Sequence, residues 1–422
     1  MPSGTTRPRL LGDRSFRTYF LSAALGSLSH RTMAVAAPMV SVYVLRSSEF
    51  QIGVTTALST VAVLVFGLPA GVWTDRMALK PLMIATGLVR AAAMSVIPIL
   101  WAIGELTFWY LAASVFAVGA LTVLYETARQ SLLPVLVGRR RLVEGNAKIE
   151  GAAQISVLAA PSAGGELAAR LGAPVAVLAT AAGALASTLL LLGVRVEEDT
   201  GHRTENPDLR REIADGVRRV ASSVALRAMA LSDMVLHLCA AMYAAVHIVF
   251  IARTLHADPE TTGLVLAMSA AGGVLGALAA RRLSDRYGQG PTMVGGLAAL
   301  PAAFLTVPAV HADWLVWAVG AGGAGVGFCT AVFAVTQVSA RQQITPDSVL
   351  GRVNATFRVA GALAASVGAL SGGAIAALWD TRTALCAAGA VALTACLPIA
   401  ATPLRTRRSF AEEAVGGVPG KR

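Results

Sequence analysis

Asp75-Arg76-Met77-Ala78-Leu79-Lys80-Pro81-Leu82-Met83 returns in outline as Asp285-Arg286-Tyr287-Gly288-Gln289-Gly290-Pro291-Thr292-Met293, displaced by 210 positions in a chain of 422 residues. Further matches follow in the same order. Arg129-Gln130-x3-Pro134 recurs as Arg341-Gln342-x3-Pro346, Asn146-Ala147 as Asn354-Ala355, and Gly164-Gly165 as Gly372-Gly373, at displacements of 212, 208 and 208. Arg17, Gly53 and Ser59 meet Arg227, Gly263 and Ser269 with no gap at all. Self-similarity held at a nearly constant offset marks an internal duplication, so each half of the chain is one copy of a single folding unit.

Composition says what kind of unit was copied. Hydrophobic residues make up 55% of the chain and charged residues 14%, and the mean hydropathy is +0.64. Soluble domains do not reach those values, and membrane proteins do. A helix needs about 20 mostly apolar residues to cross a hydrocarbon layer roughly 30 Å thick. Twelve such segments are expected: 18–44, 51–73, 81–103, 107–133, 147–169 and 173–194 in the first half, then 228–251, 261–281, 291–310, 313–339, 355–378 and 382–401 in the second. Long apolar runs without strict alternation exclude a membrane barrel. The expected fold is an all-α membrane protein of twelve transmembrane helices in two parallel six-helix pseudo-repeats. Its divisions are 1–195 (first bundle), 196–225 (linker), 226–402 (second bundle) and 403–422 (tail).

Basic residues fix the orientation, because cytoplasmic loops retain Lys and Arg. Arg7, Arg9, Arg14 and Arg17 precede the first segment, and Arg76, Lys80 and Arg139-Arg140-Arg141 fill the second and fourth connections. Arg203 to Arg219, Arg281, Arg282, Arg286, Arg352, Arg405, Arg407 and Arg408 continue that side. The opposite connections hold few basic residues and carry Glu49, Glu105, Asp258, Glu260, Asp313 and Asp380. Both termini are therefore expected in the cytoplasm. The net charge of +11 is this topology bias, with the lipid bilayer rather than nucleic acid as the partner. Within the linker, Leu209 to Val220 has the pattern of a short amphipathic helix. Cys239, Cys329, Cys386 and Cys396 lack metal-ligand spacing and fall in apolar segments, so packing is expected rather than a disulfide or a metal site. Ala34-Val35-Ala36 loosely resembles a leader cleavage site, but cutting there would break the duplication, so the first segment is read as uncleaved.

At this point the chain resembles a known family. Gly71-x3-Asp75-Arg76-x3-Lys80, placed after the second of twelve segments, is similar to the loop motif of the major facilitator superfamily. Arg129-Gln130-Ser131-Leu132-Leu133-Pro134, Asn146 and Pro161-x2-Gly164-Gly165, with Thr345-Pro346-Asp347 and Gly351-Arg352-Val353 later, resemble its drug:proton antiporter branch, which includes macrolide and enterobactin exporters. Departures are visible: Ala160 stands where a glycine precedes the proline, Ala78 and Leu79 depart from the loop motif, and His30-Arg31 occupies a segment where related antiporters carry an acid. The resemblance implies a transporter whose substrate site lies between the repeats and is exposed alternately to each side.

Candidate residues follow from their chemistry. At the cytoplasmic face Gly71, Asp75, Arg76 and Lys80 form a candidate gate with Arg129 as the chosen partner of Asp75; anchoring in the headgroup region is the alternative. Pro161, Gly164 and Gly165 offer a kink and a close helix approach, either as a seal or as ordinary packing. The run Gly320-x-Gly322-Gly323-x-Gly325-x-Gly327 reads as close packing or bending. A charge inside a span costs about 2.5–3.5 kcal/mol on insertion scales and is usually directed into a cavity. Asp233 and His237, four residues apart, are the preferred proton-handling pair, against a plain structural hydrogen bond, with His247 expected on about the same side. Glu126 and Glu150 are the other acidic candidates, and Glu126 has the alternative of a structural pair with Arg129 or Arg90. His30, Arg31, Arg90, Gln154, Tyr243 and Gln337 are candidate cavity residues.

The expected function is proton-coupled export of an amphipathic small molecule by a monomer in a bacterial inner membrane. No cofactor or metal is expected, only the proton gradient, and no clustered nucleophile, base and acid suggests an enzyme. The alternatives are an importer or facilitator of a polar solute, for which a proton ionophore would leave the accumulation of toxic hydrophobic compounds unchanged, and a non-transporting membrane sensor.

Overall fold

The computed structural model describes residues 10–138, 141–196, 209–312 and 315–408. Arg7, Arg9, Arg139, Arg140, the run Glu197-Glu198-Asp199, Arg203 and Asp313 lie outside the described residues, as do the side chains of Asp75 and of 209–213. The described residues are helical and contain no strand. In order, the helices are α1 Arg14–Met39, α2 Glu49–Arg76, α3 Leu79–Ala102, α4 Phe108–Val137, α5 Leu142–Leu171 and α6 Ala173–Leu192, then α7 Leu209–Ser222. The second set is α8 Val224–Val249, α9 Pro259–Tyr287, α10 Gln289–Thr306, α11 Val316–Ile344, α12 Asp347–Leu378 and α13 Thr381–Ala392, with a final turn α14 at Leu397–Ala400. Among the described residues nine helices are long and apolar enough to cross a membrane. α1, α5 and α10 fall short of that mark. Arg31 in α1, Glu150 in α5, and the Gly, Pro and Thr residues of α10 lower their apolar character.

The duplication extends to backbone detail. Asp13 caps α1 by accepting from the Phe16 N–H at 2.8 Å, and Ser223, 210 residues on, caps α8 by accepting from Leu226 N–H at 3.3 Å. Each helix then widens into a single π turn, Val40–Val44 in one copy and Phe250–Thr254 in the other. A left-handed residue follows in both, Arg46 at φ 48° and His256 at φ 50°. Non-glycine residues seldom adopt that conformation, so its recurrence at one displacement is a stronger mark of common origin than any single identity. Ser48 and Asp258 then stand at matched places before α2 and α9, where Asp258 accepts from Thr261 N–H at 2.7 Å.

Large apolar side chains lie on the outside as well as in the interior. Along one face of α3 large apolar side chains point outward, Val89 being 55% and Ile99 57% exposed, while Leu79, Met83, Met94 and Arg90, the last 1% exposed, face inward. Such a helix puts its apolar surface toward lipid and its polar and small residues inside. The chain forms two compact units, Met1–Leu45 with Ala62–Thr204, and Arg46–Val61 with Glu205–Arg422. The beginning of α2 therefore belongs to the second unit, although it lies in the first copy of the repeat.

Within the second unit, small residues bring backbones together. A Cβ on Gly272 or Gly276 of α9 would overlap the carbonyls of Ala324 and Phe328 on α11, and one on Gly327 would overlap that of Ser269. The glycine run of α11 thus provides the close packing expected from the sequence. The early part of α2 is held in the same way: a Cβ on Gly53 would stand 2.6 Å from the Ala369 oxygen and 2.9 Å from the Gly373 Cα. Arg253 supplies the polar part of that contact, donating to Glu49 Oε1 at 2.8 Å and to the Ser47 carbonyl at 2.6 Å. Helix α7 runs two residues beyond the expected end at Val220; its Gly216 lies against Arg352 and Thr356 of α12, and Asp215 is 3.8 Å from Arg352.

Candidate functional site

The first unit holds a polar line in its interior. Tyr19, Ser22, Gly26 and His30 recur at helical spacing along one face of α1. The Tyr19 hydroxyl donates to the Arg129 carbonyl at 2.7 Å. Ser22 and Ser187 exchange hydrogen bonds, each hydroxyl donating to the other's carbonyl at 2.7 Å. Beside Gly26, where a Cβ would be 3.8 Å from its Nη2, lies Arg90. Its guanidinium sits 4.6 Å from the centre of the Tyr125 ring, a cation–π distance. Nε and Nη2 of Arg90 make no hydrogen bond with the described residues. His30 Nδ1 lies 3.5 Å from the Thr122 hydroxyl.

Glu126 has a committed partner. Its Oε2 accepts from Arg129 Nε at 2.7 Å and lies 2.6 Å from Nη2. The sequence offers Arg129 as the partner of Asp75, whose side chain lies outside the described residues; among the described residues Arg129 bonds Glu126, three residues away on the same helix. Glu150 and Gln154 share an exposed stretch of α5. Arg31 is partly buried, with Glu126 and Glu150 as its electrostatic neighbours. Lys80 donates to the Val194 carbonyl at 2.7 Å and to Leu192 at 3.4 Å, so its ammonium satisfies carbonyls at the end of α6. Arg76 is exposed at the end of α2, and Thr74 donates to the Gly71 carbonyl at 2.8 Å. Pro161, Gly164 and Gly165 are buried on α5, and a Cβ on Gly164 would meet Thr32 and Val35 of α1 at 3.5 Å, an ordinary packing distance.

The second unit carries the other polar group. Asp233 and His237 stack one turn apart on α8, with His237 Nδ1 2.8 Å from the Asp233 carbonyl and 3.5 Å from its Oδ2. A carbonyl can only accept, so the contact places a proton on Nδ1. The Asp233 side chain is 13% exposed and that of His237 47%. Across from them, Arg341 of α11 is an electrostatic neighbour of Asp233 and lies 4.4 Å from the Phe357 ring of α12. Gln337, one turn before Arg341, and Asn354 each bury a side-chain atom that has no protein partner among the described residues. Deeper in, Tyr243 stacks on His247 with ring centres 4.3 Å apart and meets Phe304 edge-on at 5.0 Å. His247 is 2% exposed. The shared helical side does not give it the access that His237 has.

Arg341 was legible only as the repeat mate of Arg129. In the first copy Glu126 lies three residues before that arginine; in the second the matching position is Val338, and the acid comes from α8 instead. The displacement that relates the copies was the one signal that marked Arg341 as a residue needing a carboxylate.

The profile of the Major Facilitator Superfamily matches residues 19–246 and 229–420. The chain belongs to the Major Facilitator Superfamily. It is thus a multi-pass membrane protein of a transporter family. Relatives include the "Enterobactin exporter EntS" of Citrobacter koseri, 25% identical over 375 residues covering 86% of each chain. That of Escherichia coli O127:H6 is 24% identical over 386 residues, covering 89% of this chain and 88% of its own. Among solved structures, the nucleoside transporter NupG superposes with a TM-score of 0.76 at 11% identity, covering 92% of this chain and 98% of that one. A bacterial homologue of the iron transporter ferroportin gives 0.72 at 15% identity, covering 92% and 99%. Those two likenesses establish the major facilitator fold.

Proposed function

We propose that this facilitator is a proton-coupled exporter of an amphipathic small molecule, working as a monomer by alternating access in a bacterial inner membrane. Twelve spans, cytoplasmic termini and the division into 1–195, 196–225, 226–402 and 403–422 belong to the same reading. The exporter relatives, matched along most of both chains, support the direction. Work comes from the proton gradient, at about 2.3 kcal/mol per charge for each 100 mV.

One observation carries the coupling assignment: Asp233, a carboxylate inside an apolar helix, is flanked by His237 3.5 Å away and by the Arg341 guanidinium. A proton taken up at this group removes the charge that attracts Arg341, and so changes which arrangement of the second unit is favoured. Glu126, already bonded to Arg129, serves in this reading as a structural acid. Gly71, Asp75, Arg76 and Lys80 act at the cytoplasmic gate, and Pro161, Gly164 and Gly165 seal the helix pair α1–α5.

The test is flux from proteoliposomes under an imposed pH gradient, against a panel of amphipathic compounds. Asp233→Asn is expected to lower gradient-driven flux at least about tenfold, the effect of a lost proton-transfer group, while substrate binding persists. Gradient-driven flux at the wild-type rate in Asp233→Asn removes the assignment. Flux unaffected by an ionophore removes proton coupling altogether.

A further inference from the structure

Among the described residues the first unit carries a buried guanidinium, that of Arg90, with no carboxylate bonded to it. Three arginines of the spanning helices gather there: Arg31 on α1, Arg90 on α3 and Arg129 on α4. Glu126 is bonded through one oxygen to Arg129 at 2.6 Å. Arg90, 1% exposed, lies against a tyrosine ring with Nε and Nη2 unbonded by the described residues. Arg31, beside His30, makes no ion pair with Glu126 or Glu150, its two acidic neighbours, and Glu150 is exposed on α5. The Arg90 guanidinium, away from water, is costly unless negative charge compensates it, and the planar fork of the partly exposed Arg31 fits a carboxylate in two-point fashion.

We propose that the transported molecule bears a carboxylate, which is seated on the Arg31 guanidinium with His30 beside it and the charge of Arg90 behind. This deepens the export reading and rests on it. Thr122, its hydroxyl donating to the Val118 carbonyl at 2.7 Å, lies 3.5 Å from His30 Nδ1 and makes the same level polar.

The test uses three probes that share one ring system and differ in charge: 1-naphthoate, 1-naphthalenemethanol and 1-naphthylmethylamine. Each is titrated calorimetrically into the purified full-length protein in lipid nanodiscs. Saturable binding of naphthoate is expected, with the alcohol and the amine at least about tenfold weaker, the scale of one charge-assisted contact. Arg31→Gln should erase that preference, and Arg31→Lys should keep part of it, showing that the loss is of charge and not of folding. Absence of saturable naphthoate binding, equal or tighter binding of the amine, or unchanged affinity in Arg31→Gln overturns the proposal. Naphthoate binding that depends on Arg31, in a protein without proton-driven flux, would stand against the export reading and in favour of the anion site.

Discussion

Replacing Glu126 with glutamine leaves Arg129 without the carboxylate it is bonded to. Two guanidinium nitrogens, at 2.7 and 2.6 Å, share one oxygen of Glu126. The arginine side chain is 11% exposed and the glutamate 39%. An exposed pair contributes about 0–1 kcal/mol, whereas removing one partner of a buried pair costs about 3–5 kcal/mol. With the cation buried and the anion part-exposed, the loss should be roughly 2 kcal/mol, between those limits. For a unit of this size that is a fall of about 4–8 °C in midpoint, at about 2–4 °C per kcal/mol. Thermal unfolding of the purified protein, followed by thiol labelling of the buried Cys239 and Cys329 and by tryptophan fluorescence, reads the shift. The second substitution decides the cause. Glu126→Gln with Arg129→Met removes the stranded charge and should regain most of the lost stability, because the penalty lies in the unpaired cation. A single variant within about 1 °C of wild type, or a double variant no more stable than the single, refutes the reasoning; the scale is again the midpoint shift per kcal/mol.

Two further outcomes can be stated from the geometry. Gly272→Ala and Gly276→Ala put a methyl group into the backbone of α11 and should sharply reduce the yield of folded protein. Gly67→Ala on α2 meets no atom within 4 Å and should be neutral or stabilising by up to about 1 kcal/mol; parity between the two sets, by size-exclusion recovery, would contradict the packing account. Asp380 caps α13, accepting from Thr383 N–H at 2.6 Å and from its hydroxyl at 3.0 Å. The Thr383 backbone bond is the leading cause that holds its carboxyl below the usual range. The folded value is the lower one, so the stabilisation is complete above the ordinary carboxylate range near pH 3.9 and fades as pH falls through the folded value. Asp380→Ala should therefore be less stable by about 0.5–2 kcal/mol at pH 7, with the gap to wild type closing in strong acid; a gap that widens there contradicts the assignment.

The architecture was readable because it depends on period and composition, which a single chain displays openly. A displacement of 210 gave the two copies, and a charged residue inside an apolar run, such as Arg90, had to turn inward wherever the helix lay. Pairing was less readable. Glu126 and Arg129 lie three apart on one helix, so their bond was visible as an alternative. Asp233 and Arg341 lie on different helices, and their proximity is set by packing that no local pattern encodes. The division of α2 between Val61 and Ala62 has no signal in the sequence, since apolar residues run through it without change. What separates the two parts is the glycine contact of Gly53 with Gly373 and the reach of Arg253 to Glu49, both hundreds of residues away in the chain.

The paired π turns separate shape from chemistry. Both copies widen at the same place, then pass through a left-handed residue, arginine in one and histidine in the other. The backbone irregularity is shared at one offset, while the side chains upon it differ. The bend is common to both copies, and the chemistry is not: Arg253, which holds Glu49, has Tyr43 as its counterpart, and Asp233 has Ala23. One ancestral shape thus became two unequal partners without a change in the path of the chain.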